Sequence, residues 1–424
     1  MTLRDASTTL TCPTPKPPAS PWQVFWVFLK LGLTSFGGPV AHLAYFREAF
    51  VVRHRWLSEH DYADLVALCQ FLPGPASSQV GMALGLMQAG YRGVLAAWLG
   101  FTLPSAVALM ALAMGLSAWT SPWAQGALTG LKAVAVPIVA QAVWGMSRSL
   151  CPDALRRGVA LGVGVILLCW PGGWTPWLAL LGSGAMAMLA WRLKVWAPAG
   201  PTRTLGDGPQ QAQAMPRHVP RRRTGLLWLA LFLAGLLALP WLGRHGDAWA
   251  LTNAFYRAGA LVFGGGHVVL PLLQAELVPT GWIDNTAFLA GYGAAQAVPG
   301  PLFTLAAFLG ASASIGPGGW LGGLLALVAI FVPAFMVLAA ALPWWLQLRQ
   351  HTVALVLVAG VNAGVVGLLG ATLIHPVATS TLTSPLGLLI ALGGGVAWLA
   401  WRWPVWCVVV ASAVAGMLAD GLMG

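Results

Sequence analysis

Three basic side chains, Lys30, Lys132 and Arg257, lie inside otherwise apolar stretches of the chain. A charge inside a bilayer is costly, so such residues mark a pathway or a site unless they snorkel to the interface. Two of the three are related. Phe28, Lys30, Gly32, Phe36, Gly37 and Gly38 recur 227 positions later as Phe255, Arg257, Gly259, Phe263, Gly264 and Gly265. Trp56, Gln70, Pro73, Gly74 and Pro75 recur 226 positions later as Trp282, Gln296, Pro299, Gly300 and Pro301. A third echo, at a spacing of 230, sets Gly130-Leu131-Lys132-Ala133 against Gly360-Val361-Asn362-Ala363. Lys132 thus has a neutral counterpart, and the two halves differ chemically at that position.

The repeated segments contain four glycine or glycine-proline breaks, at Gly37-Gly38, Gly74, Gly264-Gly265-Gly266 and Gly300. Pro39, Pro75 and Pro301 follow three of them, and proline suits the first position of a helix because its missing N–H is not needed there. Four helices are therefore expected to begin within the membrane. Their unpaired N–H groups and positive dipole ends favour an anion. Packing kinks are the plain alternative for any single break; four related breaks favour a site. Polar side chains flank the second break of each half: Gln70, Ser77, Ser78 and Gln79, then Gln296 and Thr304. They suit an oxyanion, or equally interhelical hydrogen bonding. The candidate anion-binding residues are these together with Lys30, Phe36, Pro73, Arg257 and His267. His42, Glu48, Asp64, Lys132 and Glu276 are candidates for coupling, and Lys132 has an acid such as Asp64 as a candidate partner.

The elements that must position these residues are membrane helices. Hydrophobic residues make up 58% of the chain and charged residues 8%, too few to cover a soluble surface. The net charge of +11 comes mostly from short loops between apolar segments, so no nucleic-acid partner is expected. The five cysteines have no paired spacing, and neither a disulfide framework, a metal site nor a cofactor is expected. Trp170, Trp174, Trp191 and Trp196 near segment ends suit an interfacial belt.

The expected organisation is a disordered cytoplasmic tail (1–21), a first repeat (22–194), a basic cytoplasmic linker (195–224), and a second repeat with one extra leading span (225–424). Within each repeat two short-armed hairpins precede four full spans. The hairpins are 22–53 and 59–90, then 250–278 and 284–314; the spans are 93–119, 123–147, 154–170 and 173–193, then 318–345, 351–373, 383–399 and 403–422. An arm of about 14 residues reaches roughly 21 Å, less than the ~30 Å hydrocarbon core. The extra span 225–243 makes the number of crossings between equivalent points odd. The fold class is therefore an all-α polytopic membrane protein of two inverted-topology repeats with broken, re-entrant hairpins. The arginines predict a cytoplasmic N-terminus and a periplasmic C-terminus in the inner membrane, with Arg244 alone against the pattern.

Ser35-Phe36-Gly37-Gly38-Pro39 with Ala41-His42, and the run Gln70 to Gln79, resemble the chromate ion transporter family. So do the runs Phe263 to Pro271 and Gly291 to Pro301. The resemblance covers roughly residues 22–424 and matches the long, two-domain form. It implies export of chromate driven by the proton motive force, with sulfate as a related anion. The expected partners are these oxyanions and the bilayer, with a homodimer as a candidate assembly. The chain is expected not to be an enzyme. Two other readings fit part of the pattern. A membrane-embedded lipid-phosphate phosphatase needs a nucleophile or base beside an arginine, and Ser77-Ser78 has no adjacent acid. An anion channel is disfavoured by the interrupted helices.

Overall fold

The computed structural model describes residues 19–118, 122–170, 172, 174–196, 220–345 and 351–423. Most of the expected N-terminal tail (1–18) and most of the basic linker (197–219) lie outside the described residues. Within them the secondary structure is helical, with no strand.

The first repeat opens with α1 (Pro21–Thr34), α2 (Gly38–Arg47) and α3 (Glu59–Phe71). Then come α4 (Ala76–Ala118), α5 (Pro122–Leu150), α6 (Ala154–Cys169) and α7 (Thr175–Arg192). The long α4 is two helices in one. Ala89 and Gly90 leave helical geometry, which divides the hairpin arm from the span beyond it. The second repeat has the same order: α9 (Asp247–Leu261), α10 (Val269–Leu277), α11 (Asn285–Ala297), α12 (Leu305–Ser312) and α13 (Gly319–Ala341). It ends with α14 (Thr352–Thr372), α15 (Pro385–Leu399) and α16 (Val405–Met423). The extra helix is α8 (Arg222–Leu242). It packs on α9 and α13, and Tyr256 donates its hydroxyl to the Phe232 carbonyl at 3.0 Å. Leu226, Leu227 and Leu237 stay exposed on its outer side.

Among the described residues, five helical stretches are long and apolar enough to cross a membrane: 76–115, 123–150, 222–245, 319–344 and 352–381. The protein is a multi-pass membrane protein. Two expected full spans are shorter, α6 at 16 residues and α15 at 15, just under the usual crossing length. The arm after the first break also differs from expectation. Its α-helix stops at Arg47, and residues Glu48–Arg53 wind into a π turn.

Side-chain caps stand at helix starts away from the breaks. Ser20 forms a capping box with Gln23, Ser58 caps Asp61, Asp153 caps Arg156, Asp284 caps Thr286 and Ala287, and Ser384 caps Gly387. Each satisfies a backbone donor the helix leaves open.

The two repeats share their cores. α5 packs along α15 and α16 of the second repeat, while α14 packs along α6 and α7 of the first. Small residues permit the close approach: Gly126 lies on Gly416, Gly130 on Ser412, and Gly360 on Ser183 and Ala187. Both large apolar clusters mix the halves. Phe28, Phe46, Phe50 and Phe101 sit with Ala334 and Leu338 in one, and Leu131 and Val134 sit with Phe288 and Phe303 in the other.

Candidate functional site

The four breaks meet. The N–H of Gly74 donates to the Val262 carbonyl at 2.7 Å, and the N–H of Gly300 donates to the Ser35 carbonyl at 3.0 Å. These bonds are repeat equivalents, since Ser35 and Val262 are 227 apart and Gly74 and Gly300 are 226 apart. The second break of each half is thus bonded to the first break of the other. The backbone there requires glycine. Gly74 has φ +121° and Gly300 +112°, both essentially closed to other residues. A Cβ on Gly74 would stand 2.9 Å from Ala334 of α13, and one on Gly300 would stand 2.8 Å from Ser105 of α4. The two first breaks also touch: a Cβ on Gly266 would be 3.0 Å from the Pro39 ring.

Helices at the breaks start differently from those with side-chain caps. α2 begins at Gly38 behind Gly37, which is left-handed and offers no side-chain cap. In the second half a single 3-10 turn precedes each helix, Gly266–Val268 before α10 and Leu302–Thr304 before α12, again uncapped by side chains. Where proline was expected to open a regular helix after Gly300, the chain first tightens, and Thr304 donates back to the Pro301 carbonyl at 2.7 Å.

Several of the polar residues proposed from sequence gather here. His42 is buried, with Nε2 3.2 Å from the Ser35 carbonyl and Nδ1 unpartnered. His267 holds the Tyr292 hydroxyl at 2.8 Å through Nδ1, and its Nε2 lies 4.0 Å from where a Cβ on Gly38 would stand. The Gln296 side chain acts on the same tyrosine. Gln79 spans the halves, donating to Pro73 at 2.8 Å and to Ala334 at 3.1 Å. Ser77 and Ser78 are buried on the first turn of α4, and Phe36 lies against Trp406 of α16. Buried polar atoms without a described partner include Ser35 Oγ, Ser78 Oγ, Gln79 Oε1, Gln296 Nε2 and Asn362 Oδ1.

Other candidates stand apart from this cluster. Lys30 and Gln70 are exposed. Glu48 pairs with Arg53 at 3.0 Å, and Asp64 lies 3.9 Å from His60. Arg257 pairs with Glu276 at 3.3 Å beneath the rings of Trp174 and Trp177 of α7. Lys132 is not beside Asp64: it lines a hollow with Asp420, and Asp284 is the acid near enough to act on its charge. Trp170 and Trp174 are exposed, as an interfacial belt requires, whereas Trp196 is buried under the Arg156 guanidinium. Among the described residues no three histidine, cysteine or acidic side chains converge as metal ligands would.

Sequence reasoning missed Ser35, Ser105, Tyr292 and Ala334. Tyr292 was within reach, because it stands four residues before Gln296 and so shares its helix face. The other three act through backbone contacts or small side chains that leave no sequence signal.

A profile of the family described as Chromate transporter matches residues 22–188 and 249–417, one match per repeat. The chain belongs to the chromate transporter family. It is similar to the chromate transport protein of Pseudomonas aeruginosa, with 29% identity covering 96% of this chain and 92% of that one. The probable chromate transport protein of Synechococcus elongatus is 26% identical, over 93% and 95% of the two chains. The chromate transport protein of Cupriavidus metallidurans is also 26% identical, over 87% and 85%. No solved structure matches the chain.

Proposed function

We propose that this protein exports chromate across the bacterial inner membrane as a secondary transporter coupled to the proton motive force. The observation that carries the reading is the reciprocal bonding of the four breaks, Gly74 to Val262 and Gly300 to Ser35. It joins the two halves at the level where uncapped helix starts collect. A dianion there meets positive dipole ends and the backbone N–H groups other than those of Gly74 and Gly300, which carbonyls already hold. Hinges at Gly74 and Gly300 let the halves rearrange around it. Inverted repeats, as the arginine pattern suggests, would make the two arrangements open to opposite sides. His42 and His267 are the titratable groups at the junction, and proton coupling is assigned to them. The names of the three relatives support chromate as substrate.

The test is accumulation of radiolabelled chromate in inverted membrane vesicles with and without an imposed pH gradient. Gradient-dependent uptake is expected; uptake indifferent to the gradient removes the coupling, and none at all removes the transport reading. Phosphate release from a lipid phosphate by the purified protein would instead point to a phosphatase.

A further inference from the structure

Lys132 lies ten residues into α5, about 15 Å along the helix from its start. Among the described residues no carboxylate stands within ion-pair distance of it. An unpaired ammonium at that depth is expensive unless something polar reaches it. What surrounds it is a hollow of about 430 Å³. Thr129, Thr286, Ser380, Thr381 and Ser384 line the space, with Asp420 the one acid in its wall. Thr381 is only 4% exposed, yet its hydroxyl has no partner. A water occupies ~30 Å³ in the liquid, so the hollow has room for a tetrahedral oxyanion with part of its hydration shell.

The repeat sharpens this observation. Asn362, the counterpart of Lys132, packs its side-chain oxygen 3.3 Å from where a Cβ on Gly264 would stand, and Leu150 and Val365 close the same space. Around Gly37, the counterpart of Gly264, only Ala41 comes within 4 Å, and Gly37 is exposed. The space beside Gly264 is thus filled and that beside Gly37 is open. The hollow and the junction share the helices α5 and α11. Leu131, beside Lys132, presses its carbonyl against Gly293 of α11, and the next residue back, Tyr292, holds His267.

We propose that the hollow around Lys132 is a second oxyanion site, on the route between one face of the protein and the breaks. Lys132 is its charge and Thr381 a hydroxyl donor. The proposal rests on the transport reading above. Asp420 opposes an anion there, which gives the test its sign.

The experiment uses the full chain in lipid nanodiscs, with equilibrium binding of radiolabelled chromate at low ionic strength and flux in proteoliposomes. Lys132→Gln is expected to weaken chromate binding at least tenfold, and Lys132→Arg to stay within about threefold of the unaltered chain, because the charge is kept. Thr381→Val is expected to weaken binding a few-fold, and Asp420→Asn to tighten it. A purely structural coupling of Lys132 to Asp284 and Asp420 would instead make the Lys132→Gln, Asp284→Asn and Asp420→Asn variants fail together. The proposal is overturned if folded Lys132→Gln binds and transports like the unaltered chain, or if Asp420→Asn weakens binding. Should Lys132→Gln not fold, Asp420→Asn and Thr381→Val decide it by the same signs. Unaltered protein that binds no chromate sinks the transport reading itself, a different result from normal binding that ignores Lys132.

Discussion

At the scale of single residues, Arg257 and Lys30 have parted company although they are repeat equivalents. Arg257 is 15% exposed and paired with Glu276 at 17%, while Lys30 stands exposed. The proposed transport gives both cations a part in attracting the anion, so neutralising either is expected to weaken chromate binding. Only Arg257→Gln should also destabilise the fold, by about 2 kcal/mol, because it strands a partly buried carboxylate. Arg257→Gln combined with Glu276→Gln is expected to regain most of that stability but not the binding, as read by thermal unfolding and chromate titration. Normal binding by both neutral variants would remove the role given to these cations. Tyr292 offers a second prediction at this scale. Its hydroxyl fixes His267 through Nδ1. Tyr292→Phe is expected to cost about 1 kcal/mol and to slow chromate flux several-fold. Added to His267→Gln it should slow flux no further, because the two act as one unit. Additive losses would separate them.

At the scale of elements, the proposed function makes the breaks the working parts. Gly74 and Gly300 stand in conformations closed to other residues and against neighbours on α13 and α4. Alanine at either site is expected to cost about 1–3 kcal/mol of backbone strain beyond the steric contact. Because the sites are equivalent, both variants should show similar losses of thermal stability and of flux. A near-normal Gly300→Ala beside a crippled Gly74→Ala would mean that the two halves do not hinge alike. The 3-10 turns before α10 and α12 have no counterpart before α2 and α4. The second-half breaks are therefore wound more tightly, even though the motif is repeated.

At the scale of the whole molecule, the shared cores make the halves inseparable. α5 and α14 each lie against the last two helices of the opposite repeat, so neither repeat keeps its packing alone. The extra α8 changes the parity of crossings, and reporter fusions are expected to find the N-terminus and residue 224 on the cytoplasmic side and Gly424 on the other. Both termini on one side would exclude inverted repeats. Selectivity also belongs here, because it follows from the kind of donors assembled. Backbone N–H groups and fixed charges read charge and acceptor geometry but not the central atom. Sulfate is therefore expected to inhibit chromate flux, with discrimination of only modest factors, and chloride to inhibit poorly at matched ionic strength. Strong chloride inhibition with none by sulfate would contradict a dianion site.

The sequence by itself determined the class of protein, the number of repeats and the positions of the breaks. These are local properties: hydropathy over about 20 residues, and the need for glycine or proline where a helix must stop. It also singled out His42, Gln79, His267 and Gln296, because polar groups beside a break are conspicuous in apolar surroundings. Which breaks pair was not legible. The Gly74–Val262 and Gly300–Ser35 bonds use backbone atoms, which every residue carries and no residue type advertises. The partners of the cations were equally hidden. Lys132 and Arg257 look alike in sequence, yet one lines a hollow with threonines and serines and the other faces an acid beneath two indoles. Only the packing of α5 against the second repeat, and the reach of Arg257 from α9 to Trp177 of α7, bring those neighbours together, because Coulomb and hydrogen-bond interactions depend on distance in space rather than separation along the chain.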